Sequence, residues 1–290
     1  MLMRVPTTAH AGDTAYEAET IQNITYKTVD GQQLQLNLFL PKRNGDIRED
    51  SPLLIHIDSG GWCSGAPGSG GKWLELGAIQ KGFAVASVPH RSASNYHFPA
   101  QIQDAKAAVR FLRAHAKKYG LDKTRFAAMG FSSGGHIATM LGIPDSVRTF
   151  DVGENLDQSS HVQVVFNFFS TSSIDFMLAN NACVEPIYNV LGAMAYKGKP
   201  AEEIPAEIMS LAKKCSPITY VSSDFASIVN FYGVKDPFIP PSQGCMLHEQ
   251  LLRKGVRSRL YIANEGVHDA NSVISSQELG KIVWEFLGWK

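Results

Sequence analysis

An α/β architecture is predicted for this chain, with a mostly parallel central sheet of about eight strands and helices on both faces. Three observations carry that reading. Short apolar runs such as Leu53-Leu54-Ile55-His56-Ile57 are near-continuous rather than alternating, as in strands covered on both faces. Between them lie stretches with apolar residues at spacings of three and four, the period of an amphipathic helix. One such run, Arg125 to Met129, passes straight into a helix start through the turn Gly130-Phe131-Ser132-Ser133-Gly134, a Gly-x-Ser-x-Gly pentapeptide.

Taken in order, Met1 to Thr20 lack periodicity and read as a loose arm. Two strands are expected at Ile21 to Val29 and Gln33 to Leu40, joined by the hairpin signal Asp30-Gly31. Leu34, Leu36, Leu38 and Leu40 give the second an apolar face at period two. Pro41 to Ser51 is a polar loop, Leu53 to Ile57 a buried strand, and Ser59 to Gly71 a glycine-rich turn before a helix from Lys72 to Lys81. Gly82 to Val88 is the next buried strand. Pro99 opens a long helix carrying Ile102, Ala105, Val109, Leu112, Ala116 and Tyr119 on one face, and Gly120 stops it. After the serine turn, strands are expected at Val162 to Phe169, Ala226 to Tyr232 and Ser258 to Ile262. Helices follow around Ser242 to Lys254 and from Ser272 to Leu287, and the stretch from Ser170 to Cys215 is irregular and helical.

Composition narrows the function. Lys plus Arg and Asp plus Glu balance at 27 each, so no basic stripe points to nucleic acid. No apolar run approaches the ~20 residues of a membrane span, and Met1 to Thr20 lack a signal-peptide pattern. Cys63, Cys183, Cys215 and Cys245 are widely spaced, with no Cys-x-x-Cys pair and no disulfide framework. A cytoplasmic, reduced protein is the default expectation, and a secreted mature form stays open. No cofactor or metal is expected, because neither His-Glu-x-x-His nor a strand-following Gly-x-Gly-x-x-Gly occurs. The expected partner is a small molecule; whether the chain forms a homodimer is open.

The pentapeptide has a chemical reason. A nucleophilic serine must stand on a tight strand-to-helix turn with its hydroxyl projecting, and side chains two residues away on either side would collide there. Its hydroxyl needs a base, usually a histidine held by a carboxylate. The loops that end parallel strands on one edge of the sheet bring such groups together. Asp236 follows the strand ending at Tyr232, and His268 follows the strand ending near Ala263, which gives the chain order Ser132, Asp236, His268. Bland readings compete: Asp236 precedes Pro237 and suits a turn, and His268 suits an ordinary loop. Among rival carboxylates, Asp224 precedes a strand at the wrong edge, Asp269 would point away from its neighbour His268, and Glu265 is a third. His136 reads as packed in place, and His161 and His248 as surface residues. An oxyanion hole needs two backbone N–H groups. Ser133 supplies one, and the turn Asp58-Ser59-Gly60-Gly61-Trp62 supplies the other, with Gly60 and Gly61 allowing close approach and Trp62 walling the pocket; a glycine-rich turn around a packed tryptophan is the alternative.

From about Ile21 onward these residues resemble the α/β-hydrolase superfamily, and within it small carboxylesterases similar to the feruloyl and acetylxylan esterases. The most specific stretches are Phe98 to Arg113, the Gly-Phe-Ser-Ser-Gly-Gly-His elbow, and Ser216-Pro217-Ile218-Thr219-Tyr220-Val221. The resemblance implies one domain over residues 21–290, with residues 170–215 as a helical cap over the pocket. It also implies Ser132 as nucleophile, Asp236 as orienting acid, His268 as base, and Gly60, Gly61 and Ser133 as oxyanion donors. Where such esterases read His-Gly-Gly-Gly-Trp, this chain has Asp58 and Ser59 ahead of Gly60-Gly61-Trp62, so Asp58, Ser59 and Trp62 are expected at the substrate pocket. An aspartate beside a developing oxyanion is unfavourable unless neutralised, and pairing of Asp58 with Arg91 is expected. The implied activity is hydrolysis of an acetyl or aromatic acyl ester of a small molecule or carbohydrate through an acyl-enzyme. A lyase or cyclase on the same fold, a formamidase-like amide hydrolase and a silent ligand-binding protein remain open beside it.

Overall fold

The computed structural model describes residues 15–63, 68 and 70–289. Its strands are β1 (Glu17–Val29), β2 (Gln32–Arg43), β3 (Asp46–Ile47), β4 (Ser51–Ile57), β5 (Ala84–Val88), β6 (Leu121–Phe131), β7 (Val164–Phe168), β8 (Ser227–Gly233) and β9 (Ser258–Ala263). They form one sheet in the order β1-β2-β5-β4-β6-β7-β8-β9, with β3 added to β2. The pairings β1 with β2, β2 with β3 and β2 with β5 are antiparallel; from β5 to β9 every pairing is parallel. The parallel strands therefore end on one edge, where β4, β6, β8 and β9 release the loops expected to carry the chemistry.

Nine helices are described: α1 (Gly71–Glu75), α2 (Ala100–Ala114), α3 (Ser133–Leu141), α4 (Ile174–Ala179), α5 (Glu185–Val190), α6 (Ala206–Cys215), α7 (Ser242–Arg253), α8 (Ala270–Val273) and α9 (Ser276–Leu287). They cover both faces. Phe166 of β7 meets Trp73 of α1 and Phe286 of α9, while its neighbour Asn167 faces Gly135 of α3 on the other side. This two-sided burial is why β4, β5 and β7 are buried at every position. On β2, Leu36, Leu38 and Leu40 are fully buried and Leu34 nearly so, as the period of two requires.

Among the differences from the sequence expectation are three boundaries and the burial of two histidines. Of the expected arm, residues 1–14 lie outside the described residues, whereas Glu17 to Thr20 already pair with Lys42 to Phe39, so β1 starts before Ile21. The expected helix from Lys72 to Lys81 breaks after α1, because Gly77 takes φ 73°, a left-handed conformation that stops a helix. A separate 3₁₀ turn then covers Ile79–Lys81. The expected Ser272–Leu287 helix is two helices. Asp269 caps α8 by accepting from the N–H groups of Asn271 and Ser272, and Ser275 caps α9 by accepting from Glu278 N–H, a Ser-x-x-Glu start. Finally, His161 and His248 are half-buried rather than on the surface, His161 Nδ1 lying 3.2 Å from the Ile143 carbonyl and His248 Nδ1 2.8 Å from Ser258 Oγ.

One long irregular stretch, residues 142–163, separates α3 from β7. Cations on α2 hold it: Arg110 reaches Asp151 at 2.6 Å and the Val152 carbonyl, Lys106 donates to Ser160 Oγ at 2.8 Å, and Arg113 donates to the Ser159 and His161 carbonyls. Backbone acceptors that no sheet or helix satisfies thus find side-chain donors.

Candidate active site

Ser132 stands between β6 and α3 at φ 53°, ψ −123°, a backbone position that L residues rarely occupy. The glycines around it are required by contact. A Cβ on Gly130 would lie 2.2 Å from the Gly134 carbonyl carbon, and one on Gly134 would lie 2.5 Å from the Ile57 carbonyl oxygen. The turn is pinned by Ser132 N–H donating to the Phe168 carbonyl at 2.9 Å. Ser133 opens α3, so its N–H has no acceptor within the helix.

Asp236 lies just beyond β8 and its carboxylate is fully buried. Oδ1 accepts from the N–H groups of Phe238 at 2.8 Å and Ile239 at 3.0 Å, and Oδ2 faces His268 Nδ1 at 2.7 Å. Burial pushes the Asp236 pKa up. The His268 hydrogen bond and the two backbone donors outweigh it and hold the group below the ordinary carboxylate value. With Nδ1–H committed to Asp236, the imidazole presents Nε2 to the cavity. Its ring packs between Phe169, 4.5 Å away, and Phe238, 5.2 Å away and perpendicular. The two loops meet because both are glycine at the crossing: a Cβ on Gly233 would lie 2.2 Å from the Gly266 carbonyl oxygen. The rival carboxylates are elsewhere, Asp269 capping α8 and Glu265 paired with Lys235 in solvent.

Ser132, Ser133 and His268 line a cavity of about 600 Å³ together with Ser59, Gly60, Gly61 and Trp62. Gly60 at φ 104° and Gly61 at φ 65° form the turn, closed by Cys63 N–H on the Gly60 carbonyl. The far wall comes from Val184, Glu185, Pro186 and Ile187 at the start of α5, with Thr171, Phe238 and Ile239. None of these wall residues was singled out from sequence; the expected cap over residues 170–215 was the signal for Thr171 and the α5 residues, and Phe238 and Ile239 had only their place just after Asp236.

Two expectations about Asp58 are corrected. It does not line the cavity, and it does not pair with Arg91. The Arg91 guanidinium makes a two-pronged contact with Asp104 of α2 (Nε to Oδ2 2.8 Å, Nη2 to Oδ1 2.9 Å), a geometry that a planar fork favours over a single point contact. Asp58 instead sits 3.5 Å from His56 Nε2, and burial pushes its pKa up to about 6. Burial also lowers His56 to about 4, so that imidazole is neutral at ordinary pH. No group of three or more His, Cys, Asp or Glu among the described residues is arranged to hold a metal ion, and no described helix is long and apolar enough to cross a membrane. All four cysteines carry free thiols.

A strained serine between two obligatory glycines thus shares a cavity with a carboxylate-held histidine. The BD-FAE family profile matches residues 36–251. The chain belongs to the BD-FAE family. Among curated proteins similar to this BD-FAE member is the probable carboxylic ester hydrolase LipM of Mycobacterium tuberculosis, 23% identical over 71% of this chain and 46% of that one. Esterase LipQ of the same organism is also 23% identical, over 82% of this chain and 55% of its own. The chain thus spans about half the length of these curated relatives. Among solved structures, a truncated carbohydrate esterase from gut microbiota superposes with a TM-score of 0.74 at 25% identity, covering 96% of this chain and 99% of the other. The fold is that of the α/β-hydrolases.

Proposed function

We propose that this protein is a serine hydrolase of carboxylic esters, with acetyl or aromatic acyl esters as its substrates. The observation that carries the reading is the convergence of Ser132 and the Asp236-held His268 on one cavity. The similarity to LipM and LipQ, and to a solved carbohydrate esterase, supports it.

In this reading the Ser132 hydroxyl attacks the ester carbonyl while His268 Nε2 takes its proton. Asp236 keeps the Nδ1–H tautomer and stabilises the imidazolium. The tetrahedral oxygen is received by backbone N–H groups of Ser133 and of the Gly60–Gly61 turn. Collapse expels the alcohol, which takes the proton from His268 and leaves the acyl group on Ser132. Water, deprotonated by His268, then releases the carboxylic acid and restores the serine. The apolar wall of Val184, Pro186, Ile187, Phe238 and Ile239 suits an acyl group larger than acetyl as well as acetyl itself.

A panel of acetyl, butyryl, feruloyl and lactone substrates, run with Ser132→Ala alongside, tests the reading. The expected result is turnover of esters that falls by at least about 10⁴-fold in Ser132→Ala. Equal rates in the two proteins would overturn it.

A further inference from the structure

His136 is buried to within 1% of its surface and lies outside the triad, yet both of its ring nitrogens are engaged. Nδ1 accepts from the Trp62 indole N–H at 3.2 Å, and Nε2 donates to the Cys215 carbonyl at 2.7 Å. Only one tautomer, the proton on Nε2, satisfies both partners. Each partner has a need that this bond meets. Cys215 is the last residue of α6, where carbonyls lack helical donors. Trp62 closes the glycine turn at φ 63°, a conformation strained for any residue with a side chain, so the turn has to be held by its contacts. Among the described residues Trp62 itself has two hydrogen bonds: its carbonyl accepts from Ala93 N–H at 2.8 Å, and its indole N–H donates to His136. The backbone N–H of His136 donates to the Ser132 carbonyl at 3.0 Å, the first helical hydrogen bond of α3, so the imidazole is carried one turn from the nucleophile.

We infer that His136 is a positioning residue for ester hydrolysis: it fixes Trp62, and through it the Gly60–Gly61 turn, at a set distance from Ser132. The inference rests on the ester-hydrolase reading above. It also ties three separate pieces together, the turn after β4, the helix that carries the serine and the end of α6, through one imidazole. Burial lowers the His136 pKa to about 4, which keeps Nδ1 free to accept from the indole at every pH where the protein would work. A packing role alone would need a flat side chain of this size. A positioning role needs the acceptor and the donor as well, and this difference can be tested.

His136→Phe keeps a flat ring without either function, and His136→Gln keeps one acceptor and one donor at about the same separation. On p-nitrophenyl acetate, His136→Phe is expected to lower kcat about ten- to hundredfold with KM within about threefold, as for a group displaced by up to an ångström. His136→Gln is expected to recover most of that loss. A second readout does not involve turnover. In ¹⁵N-labelled protein the Trp62 indole N–H resonance, assigned through Trp62→Phe, should move upfield in His136→Phe and stay near its wild-type position in His136→Gln. A wild-type kcat in His136→Phe, or an unmoved indole resonance, overturns the inference. Should His136→Phe fail to fold, Trp62→Phe breaks the same bond from the other end. Combining it with His136→Gln should then add no further loss in kcat, and independent, multiplying losses overturn the inference. If the wild-type protein turns over no ester, the reading of the function fails; if it does and these variants match it, only the role of His136 fails.

Discussion

Asp236 and Asp58 are both carboxylates just past the ends of parallel strands, on opposite sides of Ser132, and the fold treats them in opposite ways. Around Asp236 the donors were built in: two backbone N–H groups on one oxygen and an imidazole on the other, so a fully buried carboxylate stays ionised with its pKa below the ordinary value. Around Asp58 they were not. Among the described residues its Oδ2 has no hydrogen-bond partner, nor has Nδ1 of the neighbouring His56. Burial therefore dominates and raises Asp58 to about 6, with a Gly68 backbone hydrogen bond opposing it. Burial alone does not set the charge of a group: the Asp236 side chain is the more buried of the two, 0% exposed against 17% for Asp58, yet it is the one whose pKa falls. The donors waiting for the carboxylate decide its charge.

The comparison breaks most visibly at Asp236. In Asp236→Asn the amide must place its NH₂ either toward the backbone N–H groups or toward His268 Nδ1, and both directions already hold a donor. The imidazole is then driven to the wrong tautomer. A loss of about 10³- to 10⁴-fold in kcat is expected, with folding retained by circular dichroism. A variant within tenfold of wild type would mean that the buried carboxylate serves the loop and not the histidine.

The next effect in size tests how the acid side is assembled. Gly233→Ala would set a Cβ 2.2 Å from the Gly266 carbonyl oxygen, and backbone on both sides leaves no flexible group to yield. The two loops must part, at a cost of about 3 kcal/mol or more in stability. The midpoint of urea unfolding measures it, and an unchanged midpoint would show that the crossing is looser than its contacts imply.

The sequence made one side of this comparison legible and the other not, for a physical reason. Gly130 answers to sterics local to five residues, since its Cβ would meet Gly134 as the reasoning required; Gly134 is demanded instead by the end of β4, where its Cβ would meet the Ile57 and Asp58 carbonyls through space. Asp236 and His268 were readable because strand ends are readable and parallel strands finish on one edge. The capping box Ser275-x-x-Glu278 was also present in the sequence, and reading it would have divided the last helix correctly. Pairing of charges was another matter. In the folded chain both oxygens of Asp104 meet the Arg91 guanidinium, and that choice of Asp104 over the expected Asp58 is a fact of tertiary geometry. Gly233 and Gly266 were visible as letters, but the crossing that demands them joins two strands through space.

Asp58 gives the smallest effect and the sharpest sign. Its folded pKa of about 6 lies above the ordinary value near 3.9, so between those limits the folded protein binds more protons than the unfolded chain. Its contribution is complete below about pH 4 and is lost as the pH rises through 6. His56 does the reverse: its folded value of about 4 lies below the ordinary 6.5, so its contribution is complete above pH 6.5 and is lost as the pH falls toward 4. The two slopes oppose one another over the same window. Asp58→Asn removes one of them, and His136, with the sign of His56, is common to both proteins and drops out of the difference. The variant should match wild type at pH 4 and exceed it at pH 7 by on the order of 1 kcal/mol, a value discounted for the partial exposure of the group. Urea midpoints at pH 4, 5, 6 and 7 measure the difference. A gain that is the same at all four values would mean that Asp58 is unfavourable for its shape and not its charge, and the contrast with Asp236 would then be one of packing.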